Sequence, residues 1–222
     1  MKMKLAAFFT LLAITAVSCS KLDVVGNDSV RAFNDLLQNA PELVSEYGEN
    51  GWSIKAPDNS ACFIWSKVFA VNPVYDVWLE FDAVPFINAG LDPSRLPDNF
   101  IFQDGVLTVG TKLENEKLSY RAEASPLASY QQIVKLHRGI IGYHGQLDHY
   151  GINLGNGNMF EWAKTLAVND KDIVFVLNPD PFVSAGTDPA HIDGWAFAKV
   201  TVDDENGKPI QVDKILKPFN LE

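Results

Sequence analysis

The apolar positions of this chain switch from helical spacing to alternation twice, in the same order each time. Phe33, Leu36, Leu37 and Ala40 fall on one helical stripe behind a cap at Asp28 or Ser29. Pro41 breaks or restarts that helix, and residues 42–47 extend it by a turn or two before Gly48 and Gly51 end it. Alternation then takes over. Strands are predicted at 52–55, at 62–69, where Phe63 and Trp65 share a face, and at 76–82, where Val77, Leu79 and Phe81 oppose Trp78, Glu80 and Asp82. Asp104-Gly105, between Phe102 and Val106, is a two-residue hairpin signal. Ser125 followed by Pro126 starts a second helix, with Leu127, Tyr130 and Val134 on its stripe and Gly139 as its stop. Further on, Ile173–Leu177 is apolar on both sides, the pattern of a central strand covered on both faces.

The recurrence extends to residue identity. FIWSKVFAVN at 63–72 matches FEWAKTLAVN at 160–169, and PFINAGLDP at 85–93 matches PFVSAGTDP at 181–189, with Asp76 and Asp172 upstream of each. Two long matches in the same order and at nearly one offset define a tandem duplication. Phe63 and Trp65, with Phe160 and Trp162, are core positions. Between them Ile64 stands against Glu161 and Ser66 against Ala163, a divergence that points to a less tightly packed face. Phe100 and Phe102 correspond to Trp195 and Phe197. Residues 114–117 and 205–208 are expected to be equivalent turns leading into last strands at 118–123 and 210–215, and the Asp104-Gly105 hairpin is expected in the first copy alone. The fold class is α+β: a tandem duplication in which each unit, 28–124 and 125–222, is a helix packed on an antiparallel sheet of about four or five strands. That order of elements is similar to helix-plus-sheet repeats of secreted bacterial proteins, tandem-repeat protease and lactamase inhibitors among them. The similarity implies an architecture and no function.

Lys2, Lys4 and the apolar run 5–17 ending in Ser18-Cys19 have the layout of a signal peptide, too short to span a bilayer as a helix. Ala16-Val17-Ser18-Cys19 resembles the lipobox of bacterial lipoproteins, with Ala16 where Leu is commonest. The resemblance implies a signal peptide over 1–18, a lipidated Cys19 beginning a tether over 19–27, and a place in the bacterial cell envelope, at the outer membrane or cell surface, with the membrane engaged through the lipid only. Removal of residues 1–18 would leave 204 of the 222 residues and, without Lys2 and Lys4, 16 basic side chains against 28 acidic ones, a net charge of −12. Such a surface repels phosphate backbones, so nucleic acid is not an expected partner. Cys62 would then be the sole thiol. It aligns with Met159 and reads as a small buried hydrophobe.

Candidate chemistry is sparse. Gly90 and Gly186 supply a positive φ, Pro93 and Pro189 forbid helix, and Asp92 and Asp188 bond to nearby backbone, so PFxxAGxDP reads first as a turn and second as a loop presenting Asp92 or Asp188 to a cation or sugar hydroxyl. All four histidines lie in the second copy. His144, Asp148 and His149 in a Gly-rich loop, with His191, form a candidate metal set for zinc, although their spacings match no zinc motif. No G-x-S-x-G occurs. Trp78 shares a strand face with Glu80 and Asp82, and is a candidate anchor for a protein or sugar partner. The reading is a non-catalytic, lipid-anchored envelope protein that has no cofactor and binds an envelope protein or glycan. The alternatives are a metal-assisted hydrolase on the histidines and a structural envelope component.

Overall fold

The computed structural model describes residues 25–48, 51–66, 76–113, 125–144, 149–163, 173–204 and 206–219. Residues 1–24, Lys67, Lys164, Asp172 and the segments 114–124 and 145–148 lie outside the described residues. Helix α1 covers 25–39 and buries Phe33 and Leu36 as their spacing predicts. It begins before both expected caps: Ser29 is inside it, buried, with its hydroxyl bonded to that of Tyr130. Residues 42–47 do not prolong it. Pro41–Leu43 is a single 3-10 turn, and Val44–Tyr47 is strand β1, held by pairing with β2 (Gly51–Lys55). Strands β3 (Ala61–Ser66) and β4 (Val77–Asp82), helix α2 (Val84–Asn88) and the hairpin β5 (Phe100–Gln103) to β6 (Val106–Thr111) follow.

The second half repeats that order. Helix α3 (Pro126–Leu136) is capped by Ser125, whose hydroxyl accepts from the Ala128 N–H, as the Ser-Pro start predicts. Then come β7 (Ile141–His144), β8 (His149–Asn153), β9 (Met159–Ala163), β10 (Ile173–Leu177), helix α4 (Asp180–Ser184), β11 (Ala196–Asp203) and β12 (Pro209–Phe219). The result is a strand-dominated mixed fold with two six-stranded antiparallel sheets, ordered β1-β2-β3-β4-β6-β5 and β7-β8-β9-β10-β12-β11. Among the described residues each sheet has six strands where the pattern predicts four or five, because the short edge strands β1 and β7 carry the spacing of a helix end and of a loop. The hairpin expected in the first copy alone is present in both. Phe197 stands in register as Phe102 does, with Trp195 two residues before it as Phe100 is before Phe102, so the connection between β11 and β12 is the counterpart of Asp104-Gly105 and not of 114–117. Strand β10 is buried along its whole length between β9 and β12, as its pattern predicts.

One core serves both halves, and equivalent residues meet each other in it. Phe63 stacks on Phe160 with centroids 4.6 Å apart and planes 2° from parallel, Phe33 stacks on Tyr130 at 3.9 Å, and Phe86 meets Phe182 at 5.0 Å. The repeated Gly-containing loops cross in the same way. The Asp92 N–H donates to Ala185 O at 2.9 Å, and the Asp188 N–H donates to Ala89 O at 2.8 Å. These reciprocal contacts place a local two-fold axis through the molecule. Asp58, in the β2–β3 turn, and the buried Lys217 of β12 add an ion pair of 2.8 Å across the halves.

Gly90 and Gly186 both sit at φ 101°, and a Cβ on Gly90 would lie 2.7 Å from Gly186 O. Gly90→Ala is expected to lower the unfolding free energy by roughly 2–3 kcal/mol, from the left-handed backbone together with the collision. Chemical denaturation measures this, and a loss no larger than that of a surface Gly→Ala change would show that the crossing is not close-packed.

Candidate functional site

The sequence-predicted residues do not converge. Trp78, the candidate anchor for a partner, is only 8% exposed: Gly110, its cross-strand partner, lies so close that a Cβ there would be 2.5 Å from that of Trp78. Its indole N–H donates to Glu80 Oε1 at 3.2 Å, and the Tyr47 hydroxyl donates to the same oxygen at 2.7 Å. The residue is thus part of a packed group on the outer face of the first sheet and offers little surface to a partner. Asp92 and Asp188 each cap a 3-10 turn: Asp92 Oδ1 accepts from the Ser94 N–H at 3.1 Å and hydroxyl at 2.7 Å, while Asp188 accepts from the Ala190 N–H and holds His191 Nδ1 at 2.7 Å. Those bonds hold both exposed carboxyls below the usual carboxylate range. His191 is thereby engaged with Asp188. His144 and His149 close the ends of β7 and β8 as cross-strand partners, and Asp148 lies outside the described residues. Among the described residues no group of three His, Cys, Asp or Glu side chains is placed to hold a metal ion.

Cys62 lies opposite Glu80, its sulfur 3.9 Å from Oε2, and burial, with the Glu80 charge second, pushes its thiol up to about 12. The thiolate fraction at pH 8 is then on the order of a thousandfold below that of a free cysteine. Native protein is expected to react with a disulfide reagent that much more slowly than urea-unfolded protein. Comparable rates would place the thiol in open solvent.

A cleft of about 270 Å³ lies in the second sheet. One wall is Gly139–His144, the 3-10 turn and edge strand β7; the other is Thr201–Asp203, the end of β11, the opposite edge strand of the same sheet; Asn153 and Met159 lie between. The cleft exists because the β11–β12 hairpin is longer than its counterpart, with strands of eight and eleven residues against four and six in β5 and β6. Its β7 wall includes Gly142. Gly142 and Gly151 are cross-strand partners where the first sheet has Ser45 and Ser53, whose hydroxyls bond at 2.9 Å. The space above Gly151 takes the Met159 methyl, which a Cβ at 151 would meet at 2.7 Å.

Directly beside Gly151 in register stands Glu161, 5% exposed, with Oε1 3.2 Å from His144 Nδ1. Burial raises the Glu161 carboxyl to about 7, with Lys214 partly opposing, and burial also lowers the imidazole of His144. Both shifts favour the neutral forms, so the contact carries less charge near pH 7 than an exposed pair at the same distance would. Lys214 of β12 donates to Gly157 O at 2.9 Å and is lowered by burial, with Glu161 and Asp180 offsetting the loss. The divergence of Ile64 and Glu161 therefore marks buried positions in both copies, not a loosely packed face. A glutamate replacing an isoleucine within a repeated core strand is the signal in the sequence for this site. No family model, no curated protein and no solved structure matches the chain.

Proposed function

We propose that the chain is an exported, lipid-anchored and non-catalytic protein of the bacterial cell envelope that holds a protein or glycan partner in the β7–β11 cleft. Its two halves are read as tandem copies of one helix-plus-sheet unit, supported by the identical strand orders and the reciprocal contacts of equivalent residues. The observation that carries the binding reading is the cleft itself. The recurring residues are spent on core and on the crossing between units, whereas the cleft is built from what differs between the copies: Gly142 for Ser45, and the longer hairpin bearing Asp203, with Glu161, which stands for Ile64, against the lining residue His144. The export and anchoring part is supported by the apolar run 5–17 and by Cys19. Among the described residues no helix is long and apolar enough to cross a membrane.

The test has two arms on the full chain produced in a bacterial host. Metabolic labelling with a clickable fatty acid should mark the wild type and not Cys19→Ala, which should leave the membrane fraction; label retained on Cys19→Ala would reject the anchor. A thermal-shift screen with envelope glycans and peptides should produce hits that are lost in Gly142→Val. Hits unaffected by filling the cleft would move the binding site elsewhere.

A further inference from the structure

We infer that the cleft of the second sheet accepts an extended peptide segment carrying a basic side chain, paired by its backbone along the β7 edge. This rests on the reading of the cleft as the binding site and names its occupant. The composition of the walls carries it. When a strand lines a cavity with its face, every second residue contributes, because side chains alternate. Here all four residues of β7, 141–144, form one wall together with the 3-10 turn before them, and three consecutive residues, 201–203, form the other. Both strands thus turn their edges to the cleft, and among the described residues they are the two terminal strands of one sheet. Strand edges present backbone N–H and C=O groups that an added strand satisfies, and an extended peptide is the ligand that matches such a row.

Size agrees with the assignment. Along the roughly 13 Å of a four-residue strand, 270 Å³ gives a cross-section of about 20 Å², that of one backbone at the usual inter-strand spacing near 4.8 Å. Gly142 leaves the β7 wall bare. The charge balance selects the side chain. Asp203 is exposed on the β11 wall, while the ammonium of Lys214 is bonded to Gly157 O. In an acidic chain that arrangement favours a lysine or arginine opposite Asp203.

The experiment pans a displayed library of linear twelve-residue peptides against the intact protein, with Gly142→Val as the counter-target. Position 142 has a backbone compatible with any residue, and its nearest neighbour is the flexible Met159 methyl, so the variant folds while narrowing the cleft. Enriched peptides are expected to carry a basic residue, to bind Gly142→Val at least tenfold more weakly, and to lose about tenfold when alternate amides are N-methylated. Asp203→Lys should weaken them by a similar factor. Bound peptide should slow amide hydrogen exchange at residues 141–144 and 201–203. Enriched peptides that tolerate N-methylation, or that protect other amides, would overturn strand pairing. Saccharides binding in the cleft with no peptide enriched would overturn the peptide assignment and leave the binding reading standing. Neither class binding in a manner sensitive to Gly142→Val would remove both.

Discussion

Phe63→Ala is expected to lower the unfolding free energy by about 3–5 kcal/mol, and Phe160→Ala by about the same. Each ring is fully buried, and the two stack on one another at 4.6 Å where the halves meet. Domains of this size are stable by about 5–15 kcal/mol, so either change alone removes a large share of the total. Because the rings are each other's neighbours, the double variant should cost less than the two single losses added together, by about 0.5–1.5 kcal/mol. The same pair decides whether the halves are independent. With one core shared through Phe33, Tyr130, Phe63 and Phe160, a single substitution should shift one transition monitored at both ends of the chain. Two transitions, of which Phe63→Ala moves only one, would show that the halves unfold separately and that the stacking contributes little.

That arrangement is half legible in the sequence. The repeated Phe and Trp announce a strand with a buried face, and two copies announce two such sheets, since alternation fixes which side is apolar. Nothing in the pattern says that the apolar sides face each other, or that PFxxAGxDP serves the crossing between copies as well as a turn inside each. A glycine needed for its own φ and a glycine needed because another glycine's carbonyl lies 2.7 Å from its missing Cβ look alike in a sequence. The edge strands escape detection for a different reason. Val44–Tyr47 and Ile141–His144 are four residues long and half exposed, and pairing with β2 and β8, rather than any periodicity of their own, holds them extended. The cleft is hidden with them, because β7 is one of its walls. The histidines draw attention to the right hairpin for a chemistry the described residues do not assemble, while the informative residue is Glu161.

Glu161 also makes stability depend on pH in a direction opposite to that of a paired carboxylate. In the unfolded chain its carboxyl titrates near 4.5; in the fold, burial beside Gly151 and His144 raises it to about 7. Between those values the folded state binds more protons than the unfolded state, so stability is fully present below about pH 4.5 and is lost as pH rises through 7. The loss is roughly 3 kcal/mol. Asp76, buried and accepting from the Leu113 N–H, is raised to about 6 by its burial and adds a loss of the same sign at slightly lower pH. His144 acts against both. Its lowered imidazole removes stability as pH falls below its ordinary value of 6.5, so the net curve is flattest where the two groups overlap. Glu161→Gln keeps a polar group beside His144 but cannot ionise. It is expected to be more stable than wild type by up to about 3 kcal/mol at pH 8.5 and to differ little at pH 4.5, in urea titrations run at both values. Equal stability at pH 8.5 would mean that Glu161 ionises there at no cost. Its carboxylate would then be solvated through the cleft, and β7 and the hairpin of β11 and β12 would stand further apart than described.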